Sequence, residues 1–325
     1  MKKKILAALL AAVMLLTLAA CAASEPAASS EGDAVTYTVG ICQLVQHEAL
    51  DAATKGFIDA LNEALPGQVK IEEKNASGDS ANCSTIVNGF VSEGVDLIMA
   101  NATPALTAAA AATSDIPILG TSITAYGVAL DIDGFTGTVG GNISGTSDLA
   151  DLEKQADMIT EWFPDAQKVG LLFCSAEPNS RYQIEEVAKH LAAKGIETQE
   201  FAFTDTNDVA SVTQSAADYA DVIYIPTDNT AASNTEAISN ILVPAGVPAI
   251  TGEEGICKGC GVATLSISYY DLGVTTGKMA AKILTGESNI SEMPIEFTEA
   301  TPKYNAAMCE ALGITPLDGY TAIEE

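Results

Sequence analysis

The chain states one plan twice, and that repetition limits its fold more than any other feature. A strand running into a polar helix start, Asp96-Leu97-Ile98-Met99-Ala100-Asn101-Ala102-Thr103-Pro104, can be laid over Asp221-Val222-Ile223-Tyr224-Ile225-Pro226-Thr227-Asp228-Asn229. Ile116-Pro117-Ile118-Leu119-Gly120-Thr121 matches Val247-Pro248-Ala249-Ile250-Thr251-Gly252, and Val39 to Gln43 parallels Val169 to Ser175. The loops Asn75 to Asp79 and Thr204 to Asp208 fall in equivalent places. Two origins fit: an internal duplication, or independent α/β units that each need polar caps. Both lead to an α/β protein with two similar Rossmann-like lobes, each a parallel sheet with helices on both faces.

The hydrophobic pattern agrees. Strands are expected at Tyr37 to Gln43, Val69 to Glu73, Val95 to Ala100, Ile116 to Gly120, Lys168 to Cys174, Glu197 to Phe203, Asp221 to Ile225, Val247 to Ile250 and Gly261 to Ile267. Runs such as Leu97-Ile98-Met99 and Val222-Ile223-Tyr224-Ile225 suit strands buried on both faces. Between them, Ala49 to Leu65 and Tyr269 to Leu284 carry helical patterns; in the first, Ala53, Phe57, Ala60, Leu61 and Leu65 make one apolar face. Gly134 to Gly145, rich in Gly and Thr, has the composition of a crossover between lobes.

The N-terminus is a separate matter. Met1-Lys2-Lys3-Lys4 precedes an uncharged run from Ile5 to Ala20, shorter than the ~20 apolar residues of a membrane span and suited to a secretory signal over residues 1–20. Leu18-Ala19-Ala20-Cys21 resembles a bacterial lipobox, which implies lipid attachment at Cys21; an ordinary signal with a chance Cys is the alternative. Residues 21–34 then read as a lipidated, flexible tether. The expected location is extracytoplasmic, anchored to the bacterial cell membrane.

With 43 Asp plus Glu against 15 Lys plus Arg, the net charge of −28 repels nucleic acid. Composition that is 48% hydrophobic and 18% charged argues against disorder. Cys257-Lys258-Gly259-Cys260 has redox or half-zinc spacing, but no second Cys pair follows and only His47 and His190 accompany it, so no metal site is expected. A loop thiol pair or a local disulfide is the plainer reading. Cys42 and Cys174 sit in apolar strand runs as small buried hydrophobes.

In parallel sheets, ligands gather at the carboxyl ends of strands. Those ends carry Gln43 and His47, Asn101 and Thr103, and Thr121 and Ser122 with Thr124 in the first half. In the second half they carry Ser175, Glu177, Asn179 and Ser180, then Thr227, Asp228 and Asn229, then Glu253 with Glu254. Each also has a possible role as a helix cap, worth ~1 kcal/mol. Taken as a set on one edge, they would enclose a small polar molecule.

These residues resemble the type I periplasmic-type substrate-binding lipoproteins of ABC transporters, and within them the branch that includes tryptophan- and tyrosine-binding proteins. The resemblance spans about residues 36–315 and rests on Gln43 with His47-Glu48-Ala49-Leu50-Asp51, Asn75-Ala76-Ser77-Gly78-Asp79, Ala102-Thr103-Pro104, Gly141-Asn142-Ile143-Ser144-Gly145, Ile225-Pro226-Thr227-Asp228-Asn229-Thr230, Gly252-Glu253-Glu254 and Tyr269-Tyr270-Asp271-Leu272-Gly273. It implies capture of an extracytoplasmic solute between two lobes joined by a three-stranded hinge, closure of the hinge, and delivery to an ABC permease. Interleaved lobes are implied too, placed at 35–142 plus 266–292 and at 143–265 plus 293–325.

If the ligand is an amino acid, such as tryptophan, tyrosine or phenylalanine, its ammonium needs an anionic acceptor, for which Asp228 is the first choice. Its carboxylate would meet the helix starts at Thr103 and at Asn179-Ser180, with Gln43 and Thr121 completing the grip. Tyr126 and Phe135 are candidates for an aromatic slot or for the core. No cofactor is implied. Gly-x-Ser-x-Gly, phosphate-loop and His-Glu-x-x-His motifs are absent, which sets a hydrolase behind a binding protein. A sugar- or nucleoside-binding protein of the same fold, or a ligand-sensing subunit of a membrane receptor, remain alternatives.

Overall fold

The computed structural model describes residues 36–324. The expected signal segment, the lipid-bearing Cys21 and the tether lie outside the described residues.

Two sheets organise the chain. The first is laid down by β1 (Tyr37–Gln43), α1 (Glu48–Ala64), β2 (Val69–Asn75), α2 (Ser80–Glu93), β3 (Leu97–Asn101), α3 (Thr103–Ala112), β4 (Ile118–Ile123), α4 (Tyr126–Ala129) and β5 (Ile143–Ser147). The second follows with α5 (Leu152–Trp162), β6 (Lys168–Cys174), α6 (Pro178–Ala193), β7 (Glu197–Phe203), α7 (Val209–Ala217), β8 (Val222–Ile225), α8 (Asn229–Ala232), α9 (Thr235–Ala245), β9 (Ala249–Thr251), α10 (Glu254–Cys260) and β10 (Ala263–Ser266). The chain closes with α11 (Tyr269–Leu284), β11 (Glu296–Phe297), β12 (Thr301–Tyr304), α12 (Ala306–Leu312) and β13 (Thr321–Ala322).

The strand orders are β11-β5-β4-β3-β1-β2 and β13-β12-β10-β9-β8-β6-β7, parallel throughout except for β10 against β12. Their main parts, β2-β1-β3-β4-β5 and β7-β6-β8-β9-β10, share one doubly wound order. The repeat extends to register: Val39 pairs with Leu97 as Val169 pairs with Val222. Even the equivalent aspartates do one job. Asp96 Oδ2 accepts from the Thr38 amide at 2.7 Å, and Asp221 Oδ2 accepts from the Gln167 and Lys168 amides at 2.9 Å, each tying the start of one strand to its neighbour.

Alternation along β1 and β3 splits the first core in two. Val39, Ile41, Leu97 and Met99 pack under Phe57 and Leu61 of α1 and Met279 of α11, while Cys42, Ile98 and Ala100 meet Cys83, Val87 and Phe90 of α2. The apolar face of α1 that the sequence predicts is the face buried here, and Glu48 and Asp51 in its first turn oppose the helix dipole favourably.

Sheet membership overturns two of the expected lobe boundaries. The Gly134 to Gly145 segment does not cross over, because Ile143–Ser147 forms β5 inside the first sheet, and 293–297 also stays there, since β11 pairs with β5. The chain passes between sheets at 148–151, 267–268 and 298–300, three crossovers that match a three-stranded hinge. The strand Ile-Ser-Gly-Thr-Ser hides in sequence because its interior hydroxyls are satisfied by hydrogen bonds rather than replaced by aliphatics: Thr146 Oγ1 lies 3.2 Å from Thr121 Oγ1 and 2.9 Å from Thr276 Oγ1. Gly145, at φ +142°, is required there, since a Cβ would stand 2.0 Å from the Gly120 carbonyl oxygen.

All six described cysteines are free and buried. Cys257 and Cys260 lie buried within α10 and not in a loop, a correction whose cause is Glu253, which caps a helix start just before them.

Candidate ligand-binding site

Residues following the carboxyl ends of both sheets enclose one small cavity. The first lobe contributes His47, Leu50, Ser122 and Thr124; the second contributes Asn179, Thr227, Asp228, Asn229, Ala232 and Glu253; Asp148 enters from a crossover and Tyr269 from the start of α11. His47 precedes α1 as its N-cap residue, Asp228 caps α8 by accepting from Ala231 N, and Glu253 caps α10 by accepting from Gly255 N and Ile256 N. Ser122 sits where β4 breaks register with β5, in a left-handed backbone at φ +55°. Such strain in a residue other than glycine is characteristic of functional sites.

The lobes touch across the cavity. His47 Nε2 lies 3.3 Å from Asn229 Oδ1, and Lys258 Nζ donates to Glu48 Oε1 at 3.2 Å. Behind the cavity, Glu177 accepts from the amide and side chain of Asn229 at 3.0 and 2.7 Å, and from the amide and hydroxyl of Thr230 at 2.9 and 2.8 Å.

Three buried polar atoms in the cavity wall have no hydrogen-bond partner: Ser122 Oγ, Asp148 Oδ1 and Asn179 Oδ1. Their residues are 6%, 3% and 4% exposed, so water does not satisfy them from outside. Leaving such groups unpaired costs ~1–3 kcal/mol each, which makes their gathering at one place informative.

The field there is acidic. Asp148, Asp228 and Glu253 line the cavity and no Lys or Arg does. Burial pushes the Asp148 carboxyl upward, against the opposing pull of the Tyr269 and Thr124 hydroxyls. The Tyr269 hydroxyl donates to Asp148 Oδ2 at 2.9 Å. Burial, then the nearby charge of Glu177, also raises Asp228, and burial pushes Glu253 up to about 7. His47 moves downward, because burial outweighs the hydrogen bond to Asn229. The wall therefore offers oxygen acceptors, and carboxyls that burial disfavours as anions until a positive group pairs with them, to a ligand that brings donors and positive charge.

Of the residues expected from sequence, His47, Ser122, Thr124, Asn179, Thr227, Asp228, Asn229 and Glu253 come together in this wall. The others do not. Gln43 donates to Asp51 Oδ1 at 2.7 Å and accepts from Thr54, while Asn101 donates to Leu50 O and Thr54 Oγ1 at 2.9 Å; both fasten α1 to its sheet. Thr121 joins the hydroxyl chain under β5, Thr103 starts α3 without facing the cavity, and Ser175 Oγ donates to Phe203 O at 3.2 Å. Glu177 and Ser180 stand behind the wall. Tyr126 and Phe135 stack at 6.4 Å on the first lobe's core beside a different, open groove.

Asp148 and Tyr269 are the acquisitions that reasoning about strand ends missed. Asp148 was hidden by the misplaced crossover; its signal was an isolated carboxylate between a Ser/Thr run and the Asp151 cap. Asp228 has a narrower part than expected, since Oδ1 accepts from Ala231 N at 2.8 Å and Oδ2 from Cys174 N at 2.6 Å.

The family model for ABC transporter substrate binding protein matches residues 38–318. A tyrosine-binding protein of Clostridioides difficile strain R20291 is 33% identical over 269 residues, covering 81% of this chain and 76% of that protein. Among solved structures, an ABC domain from Streptococcus pneumoniae in complex with L-Trp is 30% identical and superposes with a TM-score of 0.84, over 89% of this chain and 100% of that one. The ligand-free, open form of a substrate-binding protein with adhesive properties from Clostridium difficile is 32% identical but superposes at 0.67, over 89% of this chain and 99% of that one. At similar identity, the better match to the ligand-bound form accords with the direct contacts between the lobes here. On its sequence, its type I periplasmic-binding fold and its interlobe cavity, this chain belongs to the ABC transporter substrate-binding proteins.

Proposed function

We propose that the chain captures an amino acid with an aromatic side chain outside the cell membrane and presents it to an ABC permease. The observation that carries the ligand class is the convergence of Asp148 Oδ1, Asn179 Oδ1 and Ser122 Oγ on one cavity, all unpaired and all buried. An α-ammonium satisfies the two acceptors and neutralises Asp148, whereas the Ser122 hydroxyl donates to the α-carboxylate. Asp148, whose Oδ1 is unpaired, replaces Asp228, whose two oxygens already accept from Ala231 N and Cys174 N, as the chief ammonium acceptor in this account. The tyrosine- and tryptophan-associated relatives support an aromatic side chain.

Binding is a closure equilibrium: a ligand that bridges Asp148, Asn179 and Ser122 favours the closed arrangement by its differential affinity for it. No chemistry is demanded of the site. Attachment through a lipidated Cys21 would keep the protein near its permease; among the described residues no helix is long and apolar enough to cross a membrane.

Thermal unfolding with a panel of free amino acids, pentoses, polyols and nucleosides tests the reading, because a ligand that binds only the folded state at 100 times its Kd stabilises by about 2.7 kcal/mol. Aromatic L-amino acids should raise Tm most. A rise with sugars or nucleosides alone would overturn the amino-acid assignment.

A further inference from the structure

Glu177 touches both asparagine side chains of the cavity wall without lining the cavity itself. Its Oε2 accepts from Asn229 Nδ2 at 2.7 Å and from Asn179 Nδ2 at 3.3 Å, and Asn179 Nδ2 also meets the Thr227 carbonyl oxygen at 3.1 Å. A carboxylate only accepts, so each amide must turn its NH2 toward Glu177. This fixes the orientation of two groups whose oxygen and nitrogen ends are otherwise interchangeable in shape. Asn179 is left with its oxygen unpaired in the cavity wall, and Asn229 with its oxygen 3.3 Å from His47 Nε2 across the cleft. His47, shifted downward by burial, then donates from Nε2 and keeps its other ring nitrogen as an acceptor.

We propose that Glu177 is the positioning residue that sets the polarity of the cleft: by holding the NH2 ends of Asn179 and Asn229, it turns the Asn179 oxygen to the ligand and the Asn229 oxygen to His47, and so selects ligands that carry an ammonium group. This rests on the amino-acid reading above and deepens it. Rotating the Asn179 amide would place N–H donors where the ligand's own donors must sit, replacing an attraction by a repulsion. Selectivity between an amine and its deaminated analogue therefore resides in a residue behind the wall.

The test compares the affinities of L-tyrosine and 3-(4-hydroxyphenyl)propionate by calorimetry for the wild type, Glu177→Gln and Glu177→Asp. Gln can donate as well as accept, so it removes the acceptor that Asn229 and Asn179 share and leaves the Asn179 amide held by the Thr227 carbonyl oxygen. Wild type should prefer the amine by 100-fold or more; Glu177→Gln should reduce that preference at least tenfold, while Glu177→Asp, still an acceptor only, should retain it even if both affinities fall. A merely structural role would weaken both ligands alike and leave the ratio unchanged, which would overturn the inference alone. A wild type without preference for the amine would overturn the amino-acid reading and the inference together. Should Glu177→Gln fail to fold, side-chain amide NMR of the wild type decides the matter: hydrogen-bonded, slowly exchanging NH2 protons for Asn179 and Asn229 are expected, and freely exchanging ones contradict the proposal.

Discussion

At the scale of single residues, the cleft is governed by carboxylates held away from water. A carboxyl whose pKa is raised by folding stabilises the protein fully below its ordinary range and loses that contribution as pH rises through the folded value. For Glu253 the interval runs from the reference 4.5 to about 7. The ligand-free protein should therefore lose stability across it, on the order of 3 kcal/mol for that group. Glu253→Gln should flatten the slope in Tm measured from pH 4 to 8, and a slope unchanged by the substitution would remove Glu253 from the account. Asp148 behaves oppositely toward the ligand. An ammonium requires the ionised carboxylate, so amine affinity should fall as the medium is acidified, and binding near the raised pKa should release a proton. Calorimetry in buffers of different ionisation heats reads that release. Asp148→Asn should abolish it and weaken L-tyrosine at least tenfold, because a charge-assisted hydrogen bond is worth ~1.5–3 kcal/mol.

At the scale of elements, the first lobe depends on how closely α1 and α11 approach. Gly273 makes that approach possible: a Cβ there would lie 2.0 Å from the Ala53 carbonyl oxygen, which belongs to backbone and cannot swing aside. Gly273→Ala should cost ~1–3 kcal/mol through overpacking, despite the gain of up to ~1 kcal/mol in helix propensity. Gly89 in α2 is the control, since its Cβ would find only the Lys74 ammonium at 4.0 Å; Gly89→Ala should raise Tm. Opposite signs at the two positions are the expected result of thermal unfolding.

Elements also divide what the sequence discloses from what it conceals. Strands with aliphatic residues, such as Tyr37–Gln43 and Lys168–Cys174, stand where the pattern predicts them, as does the helix Tyr269–Leu284. The concealed ones are β5, built from Ser, Gly and Thr, and β11 to β13, which are short and lie toward the sheet edges. The site divides likewise. Asn179, Asp228 and Glu253 are legible because they follow strand ends, while Asp148 lies in a crossover and Tyr269 directly after one, and the position of both crossovers depends on the pairing of distant segments. Gln43 and Asn101 satisfied the same rule as the true wall residues. They differ in being used up within their own lobe by Asp51, Thr54 and the Leu50 carbonyl.

At the scale of the whole molecule, three crossovers allow the lobes to move against each other, and a few contacts hold them together. The Glu48–Lys258 pair is substantially exposed, with side chains 62% and 38% accessible, so it contributes no more than ~1 kcal/mol. Lys258→Ala should weaken ligand binding by no more than about fivefold, seen in stopped-flow chiefly as faster release. Closure must then be driven by the ligand's bonds to Asp148, Asn179 and Ser122. A crystal structure of the protein grown with L-tyrosine tests this most directly. The ammonium nitrogen should stand within hydrogen-bond distance, about 2.7–3.2 Å, of both Asp148 Oδ1 and Asn179 Oδ1; a bound ligand that sets a carboxylate or hydroxyl against those oxygens, or that lies outside the cavity, would contradict it.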